Sequence, residues 1–454
     1  MSQTPESKEE KPAPAPTRDL SKVPVGQEQN EAEAGIRAKA IEAQLKKALN
    51  VPADDETEPS PTKTHAFWGT QPVPAKPSEQ VKSFEEAHPL EDVEEKMKHI
   101  RKTPLPLPQE FEWFNLDETN DEQLTELYTL LRENYVSDSD AWFRFAYSKP
   151  MLKWAINAPG TVKEYKCGVR VAGTSTMVAF ISAVPTVVAV GGGEIKAVII
   201  DFLCVHKSLR EKRLAPVLIK EITRRVNLRG TFQAVYTAGT VIPTPYTAAH
   251  YYHRSISVEK LLDVHFTGIP KMMNVPRLKK LYRVEDAVET PGWRKFRGGD
   301  APVVREKLNE YLRSNFKVAQ LFKTDEDVIH SFKPRPNIVY SFVAESPTKD
   351  IDAFGSFYCV TNECPKSDKH PSIEIGYIYY YFTNGRVPLV ELIGNLIVEA
   401  KKVGMDVVNA LDVMKNKEMF TELKFGKGDG TLNYYLFNFN IPALQPEENG
   451  IVLI

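Results

Sequence analysis

A pattern that occurs twice constrains this chain more than any single motif. In the first half, three β-rich runs, YKCGVRV, TMVAFISAVPTVVAV and EIKAVIIDFLCV, are separated by turn residues. A helix follows from about Leu214 to Val226, with Leu214, Val217, Leu218 and Ile222 on one face, and then a strand, FQAVYTA. The second half repeats the order. NIVYSFVAES, DAFGSFYCV and IEIGYIYYYFT are strand runs, RVPLVELIGNLIVEAKKVG is a helix and DVVNAL is a strand. The offset is roughly 175 residues, taking Phe180 to Phe354 and Leu214 to Leu389. Residue identity between the halves is negligible, so only the pattern repeats. It predicts an α+β or α/β fold: two pseudo-symmetric halves forming one continuous mixed sheet flanked by helices. Pro185 interrupts the most apolar stretch, Met177–Val190. That predicts two strands and a turn there; a membrane-spanning helix would need about 20 apolar residues.

Proline usage separates a tail from the body. Of 33 prolines, 15 precede Glu110, and residues 1–62 contain no aromatic side chain. Such a segment cannot bury enough apolar surface to offset its ordering entropy, so 1–62 is predicted to be a disordered tail. Within it, EAGIRAKAIEAQLKKALN has helical spacing, fitting a transient solvated helix or a docking helix for a partner. In HAFWGTQPVP, Phe67 and Trp68 form an aromatic pair in an extended, proline-punctuated context. This predicts an arm pinned to the body, either by simple anchoring or as a cover over a ligand. The body begins near Phe111, where FEWFN precedes a helix capped by Asp121, with Leu124, Leu127, Leu130 and Leu131 as its apolar face. The expected division is 1–62, a first half over 63–280, and a second over 281–454.

Charge and cysteine usage exclude several classes. With 58 basic and 60 acidic residues the net charge is -2, which argues against a general nucleic-acid binder. Cys167, Cys204, Cys359 and Cys364 are too few and too scattered for a disulfide framework or a zinc site, and the histidines show no metal-binding spacing. The start has no apolar core for a signal peptide. A reduced, cytoplasmic protein without a metal is expected.

The stretch VIIDFLCVHKSLREKRLAPVLIKEITRRV carries the strongest chemical signal. A strand ends near Cys204–Val205, a loop bears Lys207, Arg210, Lys212 and Arg213, and a helix begins. Free N–H groups at a helix start, surrounded by cations, suit a phosphate, although a merely solvated basic turn has the same pattern. No Walker pattern is present.

Strand, basic turn and helix after an antiparallel meander resembles the GNAT N-acetyltransferase fold, which binds the pyrophosphate of an acyl-CoA on such a turn. FLCVHKSLREKRLAPVLIKEITRRVN further resembles the hallmark segment of the glycylpeptide N-tetradecanoyltransferase (N-myristoyltransferase) family, in a eukaryotic, fungal-like form. Other matching pieces follow in family order: HAFWGTQPV (65–73), ENYVSDSDAWFRFAYS (133–148), AVYTAGTVIPTP (234–245), YYHRSI (251–256), GYIYYY (376–381), DVVNAL (406–411) and KFGKGDGTLNYYLFN (424–438). The resemblance covers essentially everything after about residue 63.

The resemblance implies transfer of myristate from myristoyl-CoA to the α-amine of an N-terminal glycine on a protein or nascent chain. It assigns the first half to the acyl donor and the second to the peptide and the catalytic C-terminus. Arg210, Lys212, Arg213, Leu214 and Ala215 would hold the CoA phosphates, with Cys204 and Val205 on the preceding strand end and Phe67 and Trp68 over the donor. The main-chain N–H groups of Phe202 and Leu203 would form the oxyanion hole. The α-carboxylate of Ile454 would be the base, directly or through water, although a free carboxylate is a weak base. Thr237 and Asn409 would orient the amine. The peptide groove would use Tyr135, Asp138, Asp140, Phe143, Phe145, Tyr147, Tyr251, His253, Gly428 and Asp429, with His253 binding a serine at the fifth substrate position. A monomer is expected, with ribosome association through the tail and no direct nucleic-acid readout.

Five positions depart from the family pattern. Glu-Ile-Asn before FLCVHK reads Ile199-Ile200-Asp201, Ser137 replaces an acid, Gly69 stands where arginine is common, and Ile454 replaces leucine or glutamine. Two alternatives share part of the pattern: a GNAT-type short-acyl transferase, and a non-catalytic acyl-CoA-binding scaffold.

Overall fold

The β-branched and aromatic runs pair into one sheet, and their burial follows from what covers each face. The computed structural model describes residues 67–136, 142–210 and 212–454. The expected tail helix, Asp138 and Asp140 lie outside the described residues. The first half supplies β1 (Phe111–Asn115), β2 (Arg144–Ala146), β3 (Lys166–Val171), β4 (Met177–Val190), β5 (Gly193–Val205), β6 (Gln233–Ala238) and β7 (Thr247–Ser255). The second supplies β8 (Trp293–Lys295), β9 (Val318–Leu321), β10 (Val339–Glu345), β11 (Ile351–Glu363), β12 (Ser372–Thr383), β13 (Val407–Leu411), β14 (Gly426–Phe437) and β15 (Asn449–Gly450). The helices used below are α1 (Asp121–Asn134), α2 (Lys149–Ala155), α3 (Leu214–Asn227), α4 (Asp325–Phe332) and α5 (Leu389–Lys402).

The main strand order is β1-β3-β4-β5-β6-β14-β7-β13-β12-β11-β10-β8. Pairs β5–β6 and β12–β13 are parallel and the other neighbours in this path are antiparallel. The expected mixed sheet is therefore present, and the repeat is visible in it: β4-β5-α3-β6 corresponds to β11-β12-α5-β13. The halves exchange their final strands. β14, from the second half, lies against β6, while β7, from the first half, lies against β13. β7 and β14 pair with each other at the seam.

Two local expectations are corrected. Met177–Val190 is one strand, not two strands and a turn. Pro185 falls between the end of the β3 pairing at Ser182 and the start of the β9 pairing at Val187. On that side the strand has no partner, so the missing donor leaves no ladder bond unmade. The cap of α1 is Asn120, not Asp121; Asn120 Oδ1 accepts from the amides of Glu122 and Gln123 at 2.9 and 3.2 Å. Asp121 is the first helical residue, where its charge favours the helix N-terminus.

Helix α3 buries more than an apolar stripe. Glu221 is fully buried, and its carboxylate accepts from Arg224, from Arg225 Nε at 2.7 Å and from the Leu105 amide at 3.0 Å. Arg225 continues to Asn115 Oδ1 at 2.6 Å and the Glu164 carbonyl at 3.0 Å, tying the helix to β1. All four cysteines are free and buried, and burial pushes Cys167 and Cys204 up to about 12. Among the described residues, no helix is long and apolar enough to cross a membrane, and no group of three or more His, Cys, Asp or Glu side chains could hold a metal.

Candidate active site

A cavity of ≈ 730 Å³ opens along the seam between the halves. Its deep wall is apolar: Ile219, Ile222 and Val226 of α3, with Phe232 after it and Val198 of β5. Of the residues singled out in the sequence, it brings together Trp68, Phe202, Leu203, Thr237, Asn409 and Ile454, together with Tyr135, Phe143, Phe145, Tyr147, Tyr251 and His253.

The cavity meets β5 at an irregularity. Phe180 pairs with Cys204 and Ser182 with Asp201, so Phe202 and Leu203 together oppose Ile181. This is a bulge, which breaks the regular ladder and re-aims the strand. Phe202 sits at φ 55, a left-handed conformation costly for a bulky residue. Its ring is clamped by Tyr135 at 6.1 Å and, edge to face, by Tyr147 at 5.4 Å. The Phe202 N–H acts on the Tyr135 hydroxyl, whose ionisation burial suppresses. Cys204 turns away from the cavity, into a second apolar cluster beneath the leucines of α1. Val205 pairs with Ala179.

The last residues reach the same place. β15 pairs in parallel with β9, and a side chain at Gly450 would meet Phe316 at 2.7 Å and Ala319 at 2.9 Å, so only glycine permits this approach. Ile451, Val452 and Leu453 are then buried. The Val452 amide donates to Tyr380 Oη at 3.0 Å and Tyr358 Oη donates to the Leu453 carbonyl at 3.2 Å. Leu453 and Ile454 line the cavity.

On the groove side, His253 and Asn409 are cross-strand partners on β7 and β13. Asn409 Oδ1 accepts from His253 Nδ1 at 2.7 Å, which leaves Nε2 as the acceptor side of the ring. Burial lowers the His253 pKa, against the opposing effects of Asn409 and Asp429, so the ring is neutral at pH 7. A Cβ on Gly428 would stand 2.2 Å from His253 Nε2. Gly428 and Asp429 thus adjoin His253 without lining the cavity, whereas Gly430 does line it. The Asn409 side chain also bonds the Tyr377 hydroxyl.

The arm borders the cavity through Trp68, and the basic turn lies outside its lining. Trp68 stacks on Tyr236 at 5.6 Å and Tyr236 on Tyr435 at 5.0 Å. Phe67 stands edge-on to Trp68, with the Lys220 ammonium 5.9 Å from its ring centre. Arg210, Lys212 and Arg213 are exposed outside the cavity. The Arg210 guanidinium donates to the Asn134 carbonyl. Arg213 enters α3 at φ 61, and no side chain caps the helix. The turn at Leu214 and Ala215 therefore presents N–H groups without a side-chain acceptor, beside three cations.

Sequence reading missed part of the lining. Tyr236, Phe266, Tyr358, Asn362 and Tyr377 all face the cavity. Asp201, singled out in the sequence as a departure from the family pattern, faces it too. The tyrosines of GYIYYY carried no such signal, because alternation gives no sign of which face becomes the site.

The family model described as Myristoyl-CoA:protein N-myristoyltransferase, N-terminal domain, matches residues 90–249, and that for the C-terminal domain matches 263–452. The glycylpeptide N-tetradecanoyltransferase of Dictyostelium discoideum is 45% identical over 394 residues, 86% of this chain and 93% of the relative. That of Drosophila melanogaster is 42% identical over 392 residues, 86% of this chain and 81% of the relative. The crystal structure of Saccharomyces cerevisiae N-myristoyltransferase with bound myristoyl-CoA is similar at a TM-score of 0.79 and 38% identity, covering 86% of this chain and 100% of that one. A seam cavity that joins an aromatic arm, a bulged strand and a buried C-terminal segment thus occurs in a chain that matches both domains, and the protein belongs to the myristoyl-CoA:protein N-myristoyltransferase family, a family of acyltransferases.

Proposed function

We propose that this chain transfers myristate from myristoyl-CoA to the N-terminal glycine amine of protein substrates. The observation that carries the reading is the single cavity on which Trp68, the Phe202–Leu203 bulge and Ile454 converge. The acyl chain occupies the apolar end against α3. Each buried CH2 contributes about 0.8 kcal/mol, so chain length is discriminated about fourfold per methylene before any steric wall acts. Arg210, Lys212, Arg213 and the N–H groups of Leu214 and Ala215 hold the CoA phosphates at the cavity mouth.

The amine arrives as an ammonium and must lose a proton before it attacks. The Ile454 α-carboxylate accepts it, and Thr237 borders the same space. Asn409, bonded at both ends, positions His253 and Tyr377. Attack forms the C–N bond and moves the carbonyl electrons onto oxygen, which the Phe202 and Leu203 N–H groups stabilise. Such donors are worth about 2.7–4 kcal/mol each in other enzymes. Collapse breaks the C–S bond. Tyr135, Phe143, Phe145, Tyr147 and Tyr251 line the peptide groove, and His253 Nε2 accepts from a substrate hydroxyl. Only glycine fits at the acceptor position, beside the thioester.

The test incubates the chain with myristoyl-CoA and a peptide beginning Gly-x-x-x-Ser, following thiol release and peptide mass. Release with acylated peptide supports the reading. Preference for acetyl-CoA would assign a short-acyl transferase instead, and tight acyl-CoA binding without release would assign a carrier. Appending residues after Ile454 is expected to cut turnover sharply; unchanged turnover would remove the carboxylate from the mechanism.

A further inference from the structure

Amide formation from an ammonium removes two protons from one nitrogen. The ammonium carries three N–H bonds and the product amide keeps one. The first proton leaves before attack, to Ile454 in the transfer proposed above, on which this inference rests. After attack the tetrahedral intermediate still carries a protonated nitrogen and an oxyanion. A second proton must leave nitrogen, and the departing thiolate must gain one.

A second carboxyl faces the same place. A smaller cavity of ≈ 60 Å³ adjoins the large one, and three residues line both: Asp201, Leu453 and Ile454. Asp201 directly precedes the Phe202–Leu203 bulge. Its main chain is fixed, because Ser182 Oγ donates to its carbonyl at 3.0 Å. Among the described residues, no hydrogen bond or ion pair is made to its carboxyl, and no lysine or arginine lines either cavity. We propose that Asp201 takes the second proton from the nitrogen of the tetrahedral intermediate and delivers it to the departing thiolate. The C–N bond is then complete, the C–S bond breaks, and the products are amide, thiol and one proton, which leaves from Ile454 to water.

The electrostatic surroundings suit this part. Burial pushes Asp201 up to about 7. The titratable groups facing it are Tyr135 at the end of α1, Tyr147 before α2 and Tyr379 on β12, with His330 of α4 across the small cavity and, in the transfer proposed above, the carboxylate of Ile454, which lines both cavities. Burial suppresses ionisation of the three tyrosines, and burial and Arg335 push His330 down to about 4, so all four stay neutral near pH 7. A carboxyl that titrates near the working pH can both accept and return a proton within one turnover.

The experiment compares the unaltered chain with Asp201→Asn and Asp201→Ala across pH 6–9, using myristoyl-CoA and a glycine peptide. Expected is a fall in kcat of about 10²-fold, the lower end for a general acid–base. Acyl-CoA affinity and peptide KM should stay within about twofold, and the pH limb near 7 should disappear. Thermal unfolding at pH 8 shows whether Asp201→Asn folds, and its melting temperature should equal or exceed that of the unaltered chain. Full kcat with an unchanged pH profile overturns the proposal and leaves the acyl-transfer reading intact. A raised KM at unchanged kcat also overturns it, reducing Asp201 to an ammonium-binding group. No transfer by the unaltered chain overturns the parent reading and this one with it.

Discussion

At His253, burial keeps the imidazole neutral and Asn409 fixes which nitrogen carries the proton, so the ring offers the groove one acceptor in a set direction. Gly428 is what leaves room for that pose. Gly428→Ala is therefore expected to raise peptide KM about tenfold, roughly 1.4 kcal/mol, with acyl-CoA affinity unchanged. Steady-state kinetics with a serine-containing peptide, beside isothermal titration of the acyl donor, checks both parts. Asp201 makes a different prediction, about stability. Its folded pKa is raised, to about 7, so the native state holds its proton where the unfolded chain has already released it. The sign follows: stability is lost as pH rises from the ordinary carboxylate range through about 7, and the loss is complete above that. The melting-temperature advantage of Asp201→Asn should thus grow between pH 4 and 7 and then level off. At this scale a motif named residues that the cavity brings together, as at Phe202 and His253. The sequence was not legible where a role depends on the cavity: nothing local tells that Asp201 and Ile454 face one space.

Among the elements, α3 serves two masters: one flank lines the apolar end of the cavity and the other is riveted to β1 through Glu221. Burial pushes the Glu221 carboxyl up, but the bonds from Arg224, Arg225 and the Leu105 amide prevail and hold it below its ordinary value. Stability from this group is accordingly present above the unfolded pKa and is lost as pH falls through the lower folded one. Removing the carboxylate strands the buried Arg225, so Glu221→Ala should destabilise by about 3–5 kcal/mol, measured by urea unfolding at pH 7. Helical periodicity located α3 to within a residue of its end, yet it read the buried face as Leu214, Val217, Leu218 and Ile222. Leu218 and Ile222 are buried, but so are Glu221 and Arg225. Charged residues count as outward in any periodicity argument, and only their partners on other elements reverse that. Pro185 misled for a related reason: a proline breaks a strand when a neighbour needs its donor, and on the side away from β5 the β4 strand has no neighbour there.

For the molecule as a whole, the exchange of β7 and β14 ties the two halves together at the position of the cavity. Each half lacks the strand that completes its share of the sheet, so it would expose a long unpaired edge on its own. Fragments 63–280 and 281–454 are each expected to show no cooperative thermal transition by circular dichroism, whereas the intact chain unfolds in one step. A cooperative transition from either fragment would mean that the exchange is dispensable. The repeat of strand and helix order was open to reading in the sequence, because it is local pattern. The exchange was not, since β7 and β14 have the same period in either arrangement and only the seam distinguishes them. The aromatic stack on the cavity wall has a practical corollary. Trp68 borders the large cavity and Trp154 the small one, and no other tryptophan lines either. The protein therefore has its own pair of fluorophores, one per chamber, and a donor sliding in beneath the arm should change the emission of the first while the second stays dark to it.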